Sequence, residues 1–152
     1  MKHYFVQHGK AVSKDVDEKR PLSEEGIIET RAIAKNLAKN NVLLSQIYHS
    51  GKTRAAQTAE IIAAELGLST IDVIDDLNPN DDVKPFAQTR LTADTADAMF
   101  IGHLPQLDRL ISHLLSKDVD ANCITFQNSA VVCIDTDDDG SSLLWYITPT
   151  TI

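Results

Sequence analysis

The sequence predicts an α/β protein of three layers, with helices on both faces of a mostly parallel sheet and an antiparallel hairpin added late. Short β-branched and aromatic runs alternate with longer amphipathic stretches, the order that builds parallel strands through right-handed crossovers. In the last third two apolar runs flank Asp137-Asp138-Asp139-Gly140, which is the pattern of a hairpin. The 152 residues, 43% hydrophobic and 24% charged, suit one domain over 1–152 that buries its core without disulfides or a structural metal.

Lys2 to Gln7 reads as the first strand and stops at Gly9. A polar loop then runs to Pro21, and Ser23 is placed to cap a helix whose first turn carries Glu24 and Glu25. Ile27, Thr30, Ile33, Ala34 and Leu37 recur at helical spacing as a buried stripe, ending near Asn40-Asn41. Val42 to Tyr48 predicts a second strand closing at His49-Ser50-Gly51. Thr53 to Leu66 follows as a helix with Gly67 as its C-cap. Leu68 to Ile74 is the third strand, Asp75 to Asp82 a loop, and a weaker helix falls between Asp82 and Leu91. Ala96 to Ile101 is the fourth strand, ending at Gly102-His103, and Pro105 opens a helix over Gln106 to Leu115. Ser129 to Asp135 and Ser142 to Ile147 form the hairpin.

Charge narrows the function classes. Fourteen Lys and Arg against 22 Asp and Glu give a net charge of -8, which argues against nucleic acid, since phosphate-backbone binding runs on concentrated positive charge. Cys123 and Cys133 lack CxxC spacing and read as two reduced, buried thiols of a cytoplasmic protein. Tyr4-Phe5-Val6 is too short for a signal-peptide core, and no stretch reaches a membrane-spanning length. The aspartates at 135–139 lack calcium-loop spacing, and the cysteines and histidines lack zinc spacing, so no metal site is expected.

Open α/β sheets bind ligands outside the carboxyl ends of their strands. Three such ends carry related residues: Gln7-His8-Gly9, His49-Ser50-Gly51-Lys52-Thr53-Arg54 and Gly102-His103. A guanidinium presents forked donors that match phosphate, and an imidazole can donate to an oxyanion or act as a nucleophile near neutral pH. Gly9 and Gly102 are expected to let backbone approach a bound anion, and the helix starting near Thr53 aims its amides at the same edge. These residue types point to a phosphoryl group.

Tyr4 to Ala11, Arg20-Pro21-Leu22-Ser23 with Gly26, Ser50 followed by Arg54 to Ala59, and Gly102 to Pro105 together resemble, in order, the motifs of the histidine phosphatase superfamily. Length and spacing are most similar to its compact SixA-type phosphohistidine phosphatases. The resemblance implies a phosphoglycerate mutase-like fold. It makes His8 the nucleophile, with Arg54 and His103 as catalytic partners that hold phosphoryl oxygens in a loose transition state, and it requires no cofactor or metal. Gln7 and Arg20 join Arg54 and His103 as phosphate-binding candidates. A phosphorylated protein is the implied partner, in first place a phosphohistidine-bearing domain.

The chain departs from that pattern at Gln7, where the superfamily has arginine: two donors remain but the charge is lost, and Lys10, Lys52, His49 or Arg20 would have to supply it. No general acid stands out among Asp75, Asp76, Asp81 and Asp82, which fits imidazole, a better leaving group than alkoxide. Each assignment has a plainer rival. A strand-end histidine is ordinarily structural, Arg54 could be a solvated helix residue, and Arg20 could serve a loop salt bridge; His3 and His113 lie outside every motif and read as surface or partly buried. Two other functions remain open at this stage: a phosphate-recognising module without turnover, and a small-molecule phosphomonoesterase.

Overall fold

A computed structural model describes residues 1–152. Strands β1 (Lys2–Gln7), β2 (Gln46–His49), β3 (Ile71–Val73), β4 (Ala98–Gly102), β5 (Val131–Asp137) and β6 (Gly140–Ile147) form a single sheet in the order β3-β2-β4-β1-β5-β6. The β1–β4, β2–β4 and β2–β3 pairings are parallel, and β5 joins β1 and β6 in antiparallel fashion. Helices α1 (Glu24–Lys39), α2 (Thr53–Leu66), α3 (Val83–Arg90) and α4 (Gln106–Ser116) cover it.

The period-2 alternation of the strands divides the core in two. Tyr4, Val6, Met99, Ile101, Val131 and Cys133 point to one face, where α1 contributes Ile33, Ala34 and Leu37 and α2 contributes Ala55, Ala59, Ile62 and Ala63. Phe5, Ala98, Phe100, Val132 and Ile134 point to the other, against Val83 and Phe86 of α3 and Leu107, Leu110 and Ile111 of α4. This is the three-layer α/β arrangement the sequence predicts.

Local signals work as expected at most ends. Ser23 Oγ accepts from the Gly26 amide at 3.0 Å, and Gly67 closes α2 with φ +68°. Several strand boundaries differ, each for a visible reason. The third strand begins only at Ile71, because Leu68 donates its amide to Ala63 O and so completes the end of α2. The second begins only at Gln46, because the Val42 amide donates to Leu37 O at the end of α1, and Leu43 is left 81% exposed. A 3-10 turn over Ala93–Thr95 takes the Ala96 amide, which delays the fourth strand to Ala98. The hairpin strands run two residues further into their turn than predicted, with Gly140 at φ +131°.

Three expectations are corrected. Cys123 is exposed, because it lies in the irregular segment before β5, and only Cys133 is buried. His3 is 1% exposed rather than near the surface, and its Nε2 meets Thr95 Oγ1 at 3.0 Å, so it is a satisfied structural residue. Gly9 and Gly102 make room for protein rather than ligand. A Cβ on Gly9 would stand 2.6 Å from Thr30 Oγ1, and one on Gly102 would stand 3.1 Å from the Leu77 side chain.

Candidate active site

Strand register builds the site. Gln7 is opposite Gly102 across β1–β4, and His49 is opposite Ile101 across β2–β4, so His8, Ser50 and His103 emerge together at neighbouring carboxyl ends. The His8 amide extends the ladder by donating to Gly102 O at 3.1 Å. The rings of His8 and His103 lie 5.0 Å apart.

Arg54 reaches the same point from the first turn of α2. No acidic residue occupies that turn and no side chain caps it, so the partial positive charge of the helix start is left facing the histidines. Arg54 Nε donates to His8 Nε2 at 3.3 Å. The other ring nitrogen, Nδ1, is 2.8 Å from Gly9 O. A carbonyl can only accept, so Nδ1 carries the hydrogen and Nε2 keeps its lone pair. Asn128 Nδ2 donates to His8 O at 2.9 Å, and the Ser129 amide donates to Gln7 O at 2.9 Å, which clamps this backbone. Thr58 Oγ1 takes the Gly9 amide at 2.9 Å while donating to Arg54 O at 2.8 Å, linking the two chain segments.

The electrostatics keep both imidazoles neutral. Burial pushes His8 down to about 4; the Gly9 carbonyl opposes this, and the charges of Arg54 and Arg20 add to it. His103 is pushed down to about 3 by burial, then by His8, Arg54, Lys52 and Arg20. Burial, followed by the charge of Arg20, lowers the Arg54 guanidinium. The charges of Arg54 and Arg20 thus act on two neutral imidazoles at one point, an arrangement that favours binding an anion there.

The structure also distinguishes among the possible substitutes for the missing arginine. Lys10 Nζ is held by Glu25 at 2.7 Å and Glu29 at 3.5 Å, and His49 Nδ1 accepts the Gly51 amide at 3.0 Å with burial lowering its pKa. Neither adds free charge. Arg20 sits in a left-handed backbone conformation, φ +48°, with its Nε donating to Val12 O at 3.2 Å, and its charge reaches His8, Arg54 and His103. Gln7 Oε1 is buried with no partner. Of the aspartates that follow β3, Asp76, Asp81 and Asp82 are engaged and Asp75 is fully exposed. Asp76 accepts from Arg90 Nε at 2.9 and 3.1 Å, Asp75 lies 3.6 Å from Arg90, Asp81 accepts from Asn78, and Asp82 caps α3. No group of three or more His, Cys, Asp or Glu side chains assembles that could hold a metal. His113 takes no part in the cluster.

The sequence model of the histidine phosphatase superfamily (branch 1) matches residues 4–79, which include His8, Arg20 and Arg54. This chain belongs to that superfamily. Phosphohistidine phosphatase SixA of Escherichia coli strain K12 is 28% identical over 155 residues, covering 98% of this chain and 94% of that protein. The solved structure of the protein histidine phosphatase SixA complexed with tungstate superposes with a TM-score of 0.87 at 27% identity, covering 99% of this chain and 98% of that one. A phosphoserine phosphatase of Entamoeba histolytica in complex with 3-phosphoglyceric acid shares the fold at a TM-score of 0.75 and 17% identity, with 97% and 96% of the two chains covered. The α/β fold is thus the phosphoglycerate mutase-like one of the histidine phosphatases, SixA-type, and membership supports phosphatase activity. Sequence reasoning missed Asn128 altogether, since a loop asparagine carries no signature of its own, and it placed Thr58 in a motif without assigning it the supporting role seen here.

Proposed function

We propose that this single-domain histidine phosphatase removes the phosphoryl group from a phosphorylated cytoplasmic protein, with phosphohistidine as substrate, through a covalent phosphohistidine on His8. The observation that carries this is the state of the His8 ring: Nδ1 is fixed by Gly9 O, and Nε2 holds a lone pair 3.3 Å from the Arg54 guanidinium.

Nε2 attacks phosphorus, the bond from phosphorus to the leaving group breaks, and water later attacks the phosphoenzyme, releasing phosphate and restoring the Nε2 lone pair. Arg54, which donates to Nε2 in the free protein, turns to the phosphoryl oxygens. His103, Gln7 and Arg20 add further contacts around them. Tungstate is a tetrahedral oxyanion of similar form, and its complex with SixA supports a phosphoryl group as ligand. The engaged aspartates favour a P–N substrate, because a leaving imidazole needs less proton donation than an alkoxide.

Phosphate release from a phosphohistidine-bearing domain is expected, and no release with His8→Ala. Faster hydrolysis of small phosphomonoesters would transfer the assignment to a metabolic phosphatase. Anion binding without release would leave a recognition module that the loss of arginine at Gln7 has disarmed.

A further inference from the structure

The hydroxyl of Ser50 lies 2.6 Å from His103 Nε2, a short contact between two groups of which either can be the donor. The neighbouring groups favour one direction. The Lys52 amide donates to Ser50 Oγ at 3.4 Å and takes up one of its two lone pairs, and of the groups bonded to Oγ only His103 Nε2 is able to accept its hydrogen. The opposite direction would have Nε2–H donate to Oγ and leave the hydroxyl hydrogen without a protein acceptor. On the far side of the ring, His103 Nδ1 is buried and has no partner in the protein. Its residue is 2% exposed, so an unpaired nitrogen there is costly unless something else uses it.

We propose that Ser50 is a positioning residue: its hydroxyl donates to His103 Nε2, fixes the tautomer with hydrogen on Nδ1, and so readies that N–H as a donor to the phosphoryl group. Burial and the surrounding cations keep the ring neutral in the free protein, which makes the choice of tautomer consequential, because only one nitrogen then carries a hydrogen. His8 and His103 are prepared in the same way but with opposite results. A carbonyl acceptor on His8 Nδ1 frees Nε2 as a nucleophile, whereas a hydroxyl donor on His103 Nε2 turns Nδ1 into a donor. The backbone of β2 supplies the placement, since Ser50 follows His49, the last residue paired with β4.

The functional part of this inference rests on the phosphatase reading; the tautomer itself does not. Nitrogen-15 spectra of the histidine side chains in the protein, free of substrate, are the direct test. The wild type is expected to show a pyrrole-like Nδ1 and a pyridine-like Nε2 at His103. Ser50→Ala is expected to shift the ring toward the other tautomer, and Ser50→Thr to preserve the wild-type pattern. In turnover, Ser50→Ala should lower kcat about tenfold, the scale of one lost hydrogen bond, with KM little changed and Ser50→Thr restoring the rate. A pyrrole-like Nε2 in the wild type, or a pattern that Ser50→Ala leaves unaltered, would overturn the proposal. If the spectra follow expectation but no substrate is turned over, the phosphatase reading fails and the tautomer assignment stands.

Discussion

At the level of single residues the account turns on what each side chain faces. Arg54 Nε donates to His8 Nε2, the nitrogen proposed to attack phosphorus, so its loss removes the helix-start cation beside that atom. Arg54→Ala should lower kcat about a hundredfold or more, by analogy with the loss of one preorganised oxyanion donor, as steady-state kinetics on a phosphohistidine-bearing protein would show. Gln7 is the opposite case, a position where the chain holds less than its family pattern. Its Oε1 is buried and unpartnered, so Gln7→Arg exchanges an idle acceptor for a charged donor. Tighter inhibition by inorganic phosphate, about tenfold, is the expected result, of the order of a charge-assisted hydrogen bond; unchanged inhibition would mean that Arg20 already supplies that charge.

At the level of elements the site is a product of register and of where helices begin. The motifs around His8, Arg54 and His103 were legible because each sits directly after an apolar run, where an α/β sheet exposes its carboxyl ends. Asn128 was not legible, because it depends on β5 running antiparallel: the start of β5 then lies beside the ends of the parallel strands, and an asparagine in a loop gives no sign of that. The glycines were misjudged for a related reason. A glycine at a strand end reports close approach, but the sequence does not say of what, and at Gly9 it is Thr30 of α1. Gly9→Ala should therefore destabilise the fold by about 1–3 kcal/mol through overpacking, seen as a lower midpoint in denaturant, before any effect on anion binding is considered. The boundaries of β2, β3 and β4 were displaced by turn and cap hydrogen bonds, whose partners lie elsewhere in the chain and leave no trace in local hydrophobicity.

For the whole molecule, two neutral imidazoles buried among cations tie stability to pH. In the unfolded chain a histidine titrates near about 6.5, while in the fold His8 and His103 are pushed down to about 4 and about 3. Between those values the unfolded state binds more protons, so stability rises with pH there; it is fully present above about 6.5 and lost as pH falls toward 4 and below. Thermal denaturation across that range should show this loss, and His8→Asn should flatten it in part. The net charge of -8 acts over longer distances. An acidic surface slows encounter with another acidic protein, and the cations near the site, Arg20, Lys52 and Arg54, must outweigh it locally. Lys10 adds little to them, since it is neutralised by Glu25 and Glu29.

The covalent step is the claim on which the rest depends, and trapping the phosphoenzyme addresses it without reference to the natural substrate's identity. Rapid quenching after mixing with a labelled phosphohistidine-bearing domain, followed by peptide mapping, should find an alkali-stable, acid-labile phosphoryl group on His8 that forms and decays at rates consistent with turnover. Label on a different residue, or an equal amount of label in His8→Ala, would contradict the account.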